Sequence, residues 1–247
     1  MISEDDIKFW GPKYGSIYPY LETSTPYNNL IDDIFSFLDF NKEDVILDCG
    51  AGSGLIIKRI LEEFDFIKHI DALDVSKVML SHLKNKLKFF DNKITSKVNL
   101  VQHDLSYPLP FKDNVYDKII SNLVLTYIIS YEGKFGEDVL AGVLSEMYRV
   151  LKKNGVIVWT TPINNVKFVK VFLASWRNIL NLKYYKRLYY GPLILGHALT
   201  IQKKGKEGVY HFYNKDRIEN ILLRCGFTDI QFKRSFAKQA WVINCKK

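Results

Sequence analysis

The segment Val45-Ile46-Leu47-Asp48-Cys49-Gly50-Ala51-Gly52-Ser53-Gly54 constrains the fold more than any other part of this chain. A β-branched and aliphatic run ends in an acid, glycines then take alternate positions, and Leu55 to Phe64 has amphipathic helical spacing. That order predicts a buried parallel strand, a tight turn and a helix start. Glycines in such a turn permit positive φ and let a ligand approach the backbone without meeting a Cβ. The helix N-terminus behind them offers free N–H groups and a positive dipole end, which suit a carboxylate or a phosphate. The alternative is a purely structural turn, and the residues downstream weigh against it.

Asp74 is the first of these. It ends a second predicted strand and lies 20 residues after Gly54. An acid there is where a doubly wound fold holds a ribose diol, because a carboxylate accepts two hydroxyl hydrogen bonds. Asp104 ends a third predicted strand, Val98 to Gln102, and an acceptor there suits the exocyclic amine of adenine. Alternatively, either acid alone is a solvated helix cap.

The spacing G-x-G-x-G, with an acid two positions ahead of the first glycine, departs from the dinucleotide fingerprint. It resembles motif I of the class I S-adenosylmethionine-dependent methyltransferases. "ALDVSKVML" (Ala72 to Leu80) is similar to their second motif. "QHDLSYPLPFKDNVYDKIISNLVLTYI" (Gln102 to Ile128) resembles their acid, Pro-Phe turn and fourth strand. "EMYRVLKKNGVIVWTTP" (Glu146 to Pro162) and "LLRCGFTDIQF" (Leu222 to Phe232) resemble the later helices and strands. One departure is the turn Lys152 to Gly155, where the family usually carries Pro-Gly-Gly; Asn154-Gly155 is itself a good turn pair.

The resemblance implies a Rossmann-like, doubly wound α/β fold. Its seven-stranded sheet is mostly parallel, and the last strand is antiparallel, inserted between the fifth and sixth. The implied cofactor is S-adenosylmethionine. The backbone at Gly50 and Gly52 would hold its methionine part, and Asp48 would fix the turn or reach the amino group. Asp74 with Val75 would take the ribose side, and Asp104 with Leu105 the adenine. Asn122 would stand on the lip facing the methyl group with Leu123 and Tyr127.

Strands are expected near Val45–Asp48, Ile70–Asp74, Val98–Gln102, Tyr116–Ser121, Val156–Thr161, Asp229–Arg234 and Ala240–Cys245, with a helix over Lys215–Arg224. The expected organisation is an N-terminal cap (1–41), a core (42–162 and 213–247) and an insertion (163–212). The cap is rich in aromatics, and Tyr14 or Tyr18 could meet the cofactor's carboxylate or its sulfonium; plain core packing of these rings is the alternative.

Charge is concentrated in the insertion. Residues 163–212 hold nine Lys and Arg and one acid, Glu207, so this stretch carries the chain's net +8 while the remainder balances. Nine aromatics share the stretch. Phe168, Val169, Phe172, Trp176, Ile179 and Leu180 fall on one helical face, with Lys167, Lys170 and Arg177 beside them. Such a helix is either a substrate lid packed on the core or an element lying on a membrane surface. The run Lys183 to Tyr190 also suits a lipid interface, or RNA through stacking and phosphate contacts. Nucleic acid is disfavoured, because no added RNA-binding domain is evident and Ser121-Asn122-Leu123-Val124 lacks the Asn-Pro-Pro-aromatic signature of base amino methylation.

The expected acceptor is therefore a small, apolar or lipid-like molecule. Where it must lose a proton, the candidate bases are His197, His211 and Tyr127. His103 points to the opposite face of its strand from Asp104. No Cys/His/Asp cluster has ligand spacing, so no metal is expected. With no apolar run of 18 residues, no signal-like start and unpaired cysteine spacing, the expected setting is cytoplasmic, with peripheral membrane contact as an option.

Overall fold

The computed structural model describes residues 24–64, 66–175 and 186–247. The first helix, α1 (Thr25–Phe35), starts with Pro26, whose fixed φ suits a first helical turn. Tyr27, Leu30, Ile31 and Ile34 recur at helical spacing and are its buried face. The chain then alternates: β1 (Val45–Cys49), α2 (Leu55–Glu63), β2 (His69–Asp74), α3 (Lys77–Leu87), a short α4 (Asn92–Thr95), β3 (Val98–Gln102) and β4 (Tyr116–Asn122). A small hairpin, β5 (Ser130–Tyr131) and β6 (Lys134–Phe135), precedes α5 (Glu137–Val150) and β7 (Leu151–Pro162). The insertion contributes α6 (Phe168–Ala174) and α7 (Lys186–Lys206). α8 (Lys215–Arg224), β8 (Thr228–Ser235) and β9 (Ala240–Lys246) complete the described chain.

Seven strands form one sheet in the order β3-β2-β1-β4-β7-β9-β8. The pairings from β3 through β7 are parallel. β9 runs antiparallel to both of its neighbours. The expected topology therefore holds: the last strand sits between β7 and β8. Strand order reverses beside β1, which leaves a crevice at the C-terminal ends of β1 and β4.

Period-two alternation sorts the strand side chains onto two faces. Ile46, Ile70, Ile120, Val158 and Val242 join α1, α2, α3, α6 and α7 in one core cluster. Leu47, Leu73, Ile119, Ile157 and Ile243 join α5 and α8 in the other. The Lys152–Gly155 turn is taken up inside β7 as an irregularity in its pairing with β4, with Asn154 at φ 64°. At the foot of the sheet, Lys118 Nζ and Asp44 Oδ2 form an ion pair whose side chains are 8% and 7% exposed.

The β8–β9 hairpin closes through Phe236, Ala237 and Lys238, consecutive non-glycine residues at φ 53°, 53° and 63°. Arg234 Nη1 donates to the Lys238 carbonyl at 3.1 Å and Gln239 N to the Phe236 carbonyl at 3.0 Å, which holds the turn. Left-handed backbone costs a side chain about 1–2 kcal/mol, partly offset by glycine's extra entropy loss. Lys238 is exposed and its bond uses backbone only. Lys238→Gly should therefore raise stability by about 0.5–1 kcal/mol in denaturant melts. A lowered midpoint would mean that no strain is stored at this position.

Among the described residues, no helix is long and apolar enough to cross a membrane.

Candidate active site

The glycine turn after β1 is held by the second strand. Gly50 N and Ala51 N both donate to the Leu73 carbonyl, at 2.7 and 2.9 Å. Gly50 adopts φ 78°, and a Cβ there would lie 2.3 Å from Val124 Cγ2. Backbone therefore packs directly against the residue that follows the β4 lip. Asp74 ties the same turn from β2: its Oδ2 accepts from Gly52 N and its Oδ1 from Ser76 N, each at 2.8 Å. Burial raises the Asp74 pKa, and these two amides partly offset it.

Asp48 differs from Asp74. It is 1% exposed, and neither carboxylate oxygen has a hydrogen-bond partner. Burial, followed by the charge of Asp74, pushes its pKa up to about 8. It lines a pocket with Tyr27, Gly50, Ala51, Leu55, Ile56 and Asn122. Asn122 is fixed on both sides: its Nδ2 donates to Tyr27 Oη at 2.9 Å, and its Oδ1 accepts from Thr160 Oγ1 at 2.7 Å. Thr160 in turn accepts from Leu123 N at 2.8 Å, where Leu123 has φ 55°.

The structure thus gathers Asp48, Gly50 and Asn122 around one pocket, with Gly52 and Asp74 bonded behind it. Asp104 follows β3; its Oδ1 accepts from Ser106 N at 2.9 Å, so it caps a turn where a helix cap was the alternative. Val75 accepts a bond from Gln102 Nε2 at 3.1 Å, and Leu105 is buried. Tyr127 ends the short turn Leu125–Tyr127 after β4, its ring packed edge-on against Tyr210 at 5.1 Å and Phe212 at 6.0 Å. His211 lies between those two aromatics in sequence and is buried. Its N donates to the Thr126 carbonyl at 2.9 Å, and its Nδ1 lies 3.2 Å from Tyr213 Oη. Burial lowers its pKa, the Ile128 carbonyl raises it in part, and Arg217 lowers it further. His197 stands half-buried on α7. Tyr14, Tyr18, Trp176, Ile179 and Lys183 lie outside the described residues.

The pocket residues not selected from sequence are Tyr27, Ala51, Leu55, Ile56 and the supporting Thr160. Tyr27 carried a usable signal: it occupies the first turn of a Pro-started amphipathic helix, on the same stripe as Leu30, Ile31 and Ile34. Thr160 carried none beyond its place in a strand. Among the described residues no group of His, Cys, Asp and Glu could hold a metal ion.

Residues 47–159 match the family described as "Methyltransferase domain". The chain is 32% identical over 120 residues to the biotin biosynthesis bifunctional protein BioHC of Teredinibacter turnerae, covering 47% of this chain and 19% of that protein. It is 27% identical over 106 residues to the ribosomal RNA small subunit methyltransferase A of Clostridium acetobutylicum, covering 42% of this chain and 37% of that one. The chain thus spans less than half the length of either relative. A solved S-adenosylmethionine-dependent methyltransferase from Mesorhizobium loti superposes with a TM-score of 0.59 at 14% identity, over 92% of this chain and all of that one. That likeness is one of fold.

Proposed function

We propose that this chain, which carries a class I S-adenosylmethionine-dependent methyltransferase domain, transfers a methyl group to a small, apolar or lipid-like acceptor. The observation that carries the cofactor reading is Asp48. A buried carboxylate with no partner is costly in a folded protein, and it lines a pocket beside a glycine turn. An ammonium group, such as that of the methionine part of the cofactor, would satisfy it. The donor set fits the rest of the molecule as well. The backbone at Gly50 and Gly52 would hold the methionine part, Asp74 with Val75 would take the ribose diol, and Asp104 with Leu105 would take the adenine amine.

When bound, the sulfonium supplies a methyl group already activated for in-line displacement. The chain's own work is therefore orientation and exclusion of water. Asn122, held by Tyr27 and Thr160, keeps the lip in one geometry. Tyr127, braced by Tyr210 and Phe212, presents an aromatic wall there. Where the acceptor must lose a proton, Tyr127, His197 and His211 remain the candidates. The lowered pKa of His211 keeps its ring neutral near pH 7, as a base requires.

The apolar acceptor is supported by the insertion. Phe168, Val171, Ile201, Tyr210 and Phe212 belong to the same buried cluster as Ile120 of β4 and Val158 of β7, as a lid would. Val169 and Leu173, one turn apart on α6, are 43% and 59% exposed, which favours peripheral contact with an anionic bilayer as an accessory property. The rRNA methyltransferase relative gives the second reading, a macromolecular acceptor. A third is cofactor binding without turnover.

Calorimetric titration of S-adenosylhomocysteine, followed by a methyl-transfer screen on quinones, isoprenoids, aromatic metabolites, RNA and protein, separates these readings. Micromolar binding with turnover on the apolar panel is expected. Turnover confined to RNA or protein would replace the acceptor reading, and binding with no turnover anywhere would favour the third. Co-sedimentation with phosphatidylglycerol vesicles tests the bilayer contact; equal pelleting of wild type and a Lys183/Lys186/Arg187 charge-reversed variant would reject it.

A further inference from the structure

We propose that Asp48 selects ligands by charge: it keeps a proton in the ligand-free protein and gives that proton up to solvent when a cationic ammonium docks against it. The inference rests on the cofactor reading above and deepens it, from where the amino group sits to what must leave when it arrives.

The geometry comes first. Asp48 is the fourth residue of the five-residue β1, in the middle of the sheet, with Ala72 and Ile120 as its register partners. No backbone amide reaches its oxygens, whereas Asp74 nearby has two. Tyr27 and Asn122, the polar side chains that line the pocket with it, are bonded to each other. A carboxylate in that position would be 1% exposed and without a protein donor, so burial favours the neutral acid.

The charged and titratable surroundings point the same way. From β2, Asp74 adds a like charge. On β1, the adjacent Cys49 thiol is itself pushed up by burial and by Asp48. From α1 comes the Tyr27 phenol. Among the described residues, a cation bonded to this loop is Lys86 of α3, whose Nζ donates to Ser53 Oγ at 2.8 Å. The raised Asp48 pKa, about 8, agrees with this placement.

The exchange balances without any further reactant. The ligand's ammonium keeps its protons, the Asp48 O–H bond breaks, and the proton passes to the buffer. The signs follow. Below about pH 8 the free site holds the extra proton. Affinity for an ammonium-bearing ligand should then rise as pH rises, by up to roughly tenfold per pH unit between pH 6 and 7. A ligand lacking the ammonium should show no such slope, because it leaves Asp48 protonated.

The test is calorimetry on the full chain at pH 6.5 in two buffers of different ionisation enthalpy. S-adenosylhomocysteine carries the amino group, and 5′-methylthioadenosine lacks the whole amino-acid part. The first should release about one proton per site and the second none. Asp48→Asn should bind S-adenosylhomocysteine without release. If that variant does not fold, the two ligands compared on the wild type still decide. S-adenosylhomocysteine binding with no proton release would overturn the proposal, and so would equal release by both ligands or by Asp48→Asn. Failure of S-adenosylhomocysteine to bind at all is a different result: it removes the cofactor reading, and this inference with it.

Discussion

Gly50→Ala should cost about 2–5 kcal/mol of folding stability and weaken S-adenosylhomocysteine binding by roughly tenfold or more. Two independent penalties combine. The residue sits at φ 78°, where a side chain is strained by about 1–2 kcal/mol. The new methyl would also lie 2.3 Å from Val124 Cγ2, 2.7 Å from Cγ1 and 3.0 Å from Cβ. Rotating Val124 cannot clear all three atoms, so the backbone must move, and overpacking of this kind costs about 1–3 kcal/mol. Val124 is the residue before the turn Leu125–Tyr127, so the displacement spreads to the lip. Urea melts of Gly50→Ala, Val124→Ala and the double variant separate the two terms. Val124→Ala removes the two closest atoms, so it should relieve most of the clash and leave the φ penalty. A single variant within about 0.5 kcal/mol of the parent would sink the argument.

Lys118→Met should lower stability by about 3–5 kcal/mol while leaving ligand affinity of the folded protein unchanged. The Asp44 carboxylate would stay buried with the Asn41 amide, 2.7 Å from its Oδ2, as a donor but without its cation. Removing one member of a buried pair leaves an uncompensated charge, and that is the costly case. Lys118 Nζ also lies 5.9 Å from the Phe40 ring centre, so a weaker cation–π attraction disappears with the same substitution. Adding Asp44→Asn should restore part of the stability, because the orphaned charge goes with it. Asp44 immediately precedes β1, at the end of the sheet opposite the pocket, which is why affinity should not move. A decrease below about 1 kcal/mol for Lys118→Met would show that Asp44 finds water or another donor.

The strand–turn–helix from Val45 to Glu63 was legible because each residue there has little choice: a doubly buried strand must be apolar, and its turn must allow positive φ. The core strands predicted from sequence are found to within a residue or so at their ends, except β7, which begins at Leu151 rather than Val156 because the Asn154-Gly155 turn is absorbed into it. Asp48, next to last in β1, and Asp74, the last residue of β2, were legible for the same reason as the turn, since polar residues in so buried a sheet need a purpose. Less was legible where tertiary packing overrides local preference. α7 runs through Gly191, Pro192, Gly196 and Gly205, four residues that argue against a helix. Gly205 is required by packing, because a Cβ there would meet Phe212 Cδ2 at 2.2 Å. The β5–β6 hairpin is only two residues per strand, too short for any periodicity to register. Among the N-terminal aromatics the sequence points to Tyr14 and Tyr18, and it is the bond to Asn122 that brings Tyr27 to the pocket.

β9 follows both of its neighbours in the chain and pairs with each along its length. The hairpin with β8 is local and can form by itself, but β7 has no partner on that side until the hairpin docks. Every partly folded form that lacks this last step therefore carries an open edge on β7, a strand whose residues Ile157 to Pro162 are all buried in the finished sheet. Unpaired apolar edges of this kind recruit strands from other chains. The order of strands in the sheet thus makes docking of the final hairpin the step on which solubility during synthesis and refolding depends.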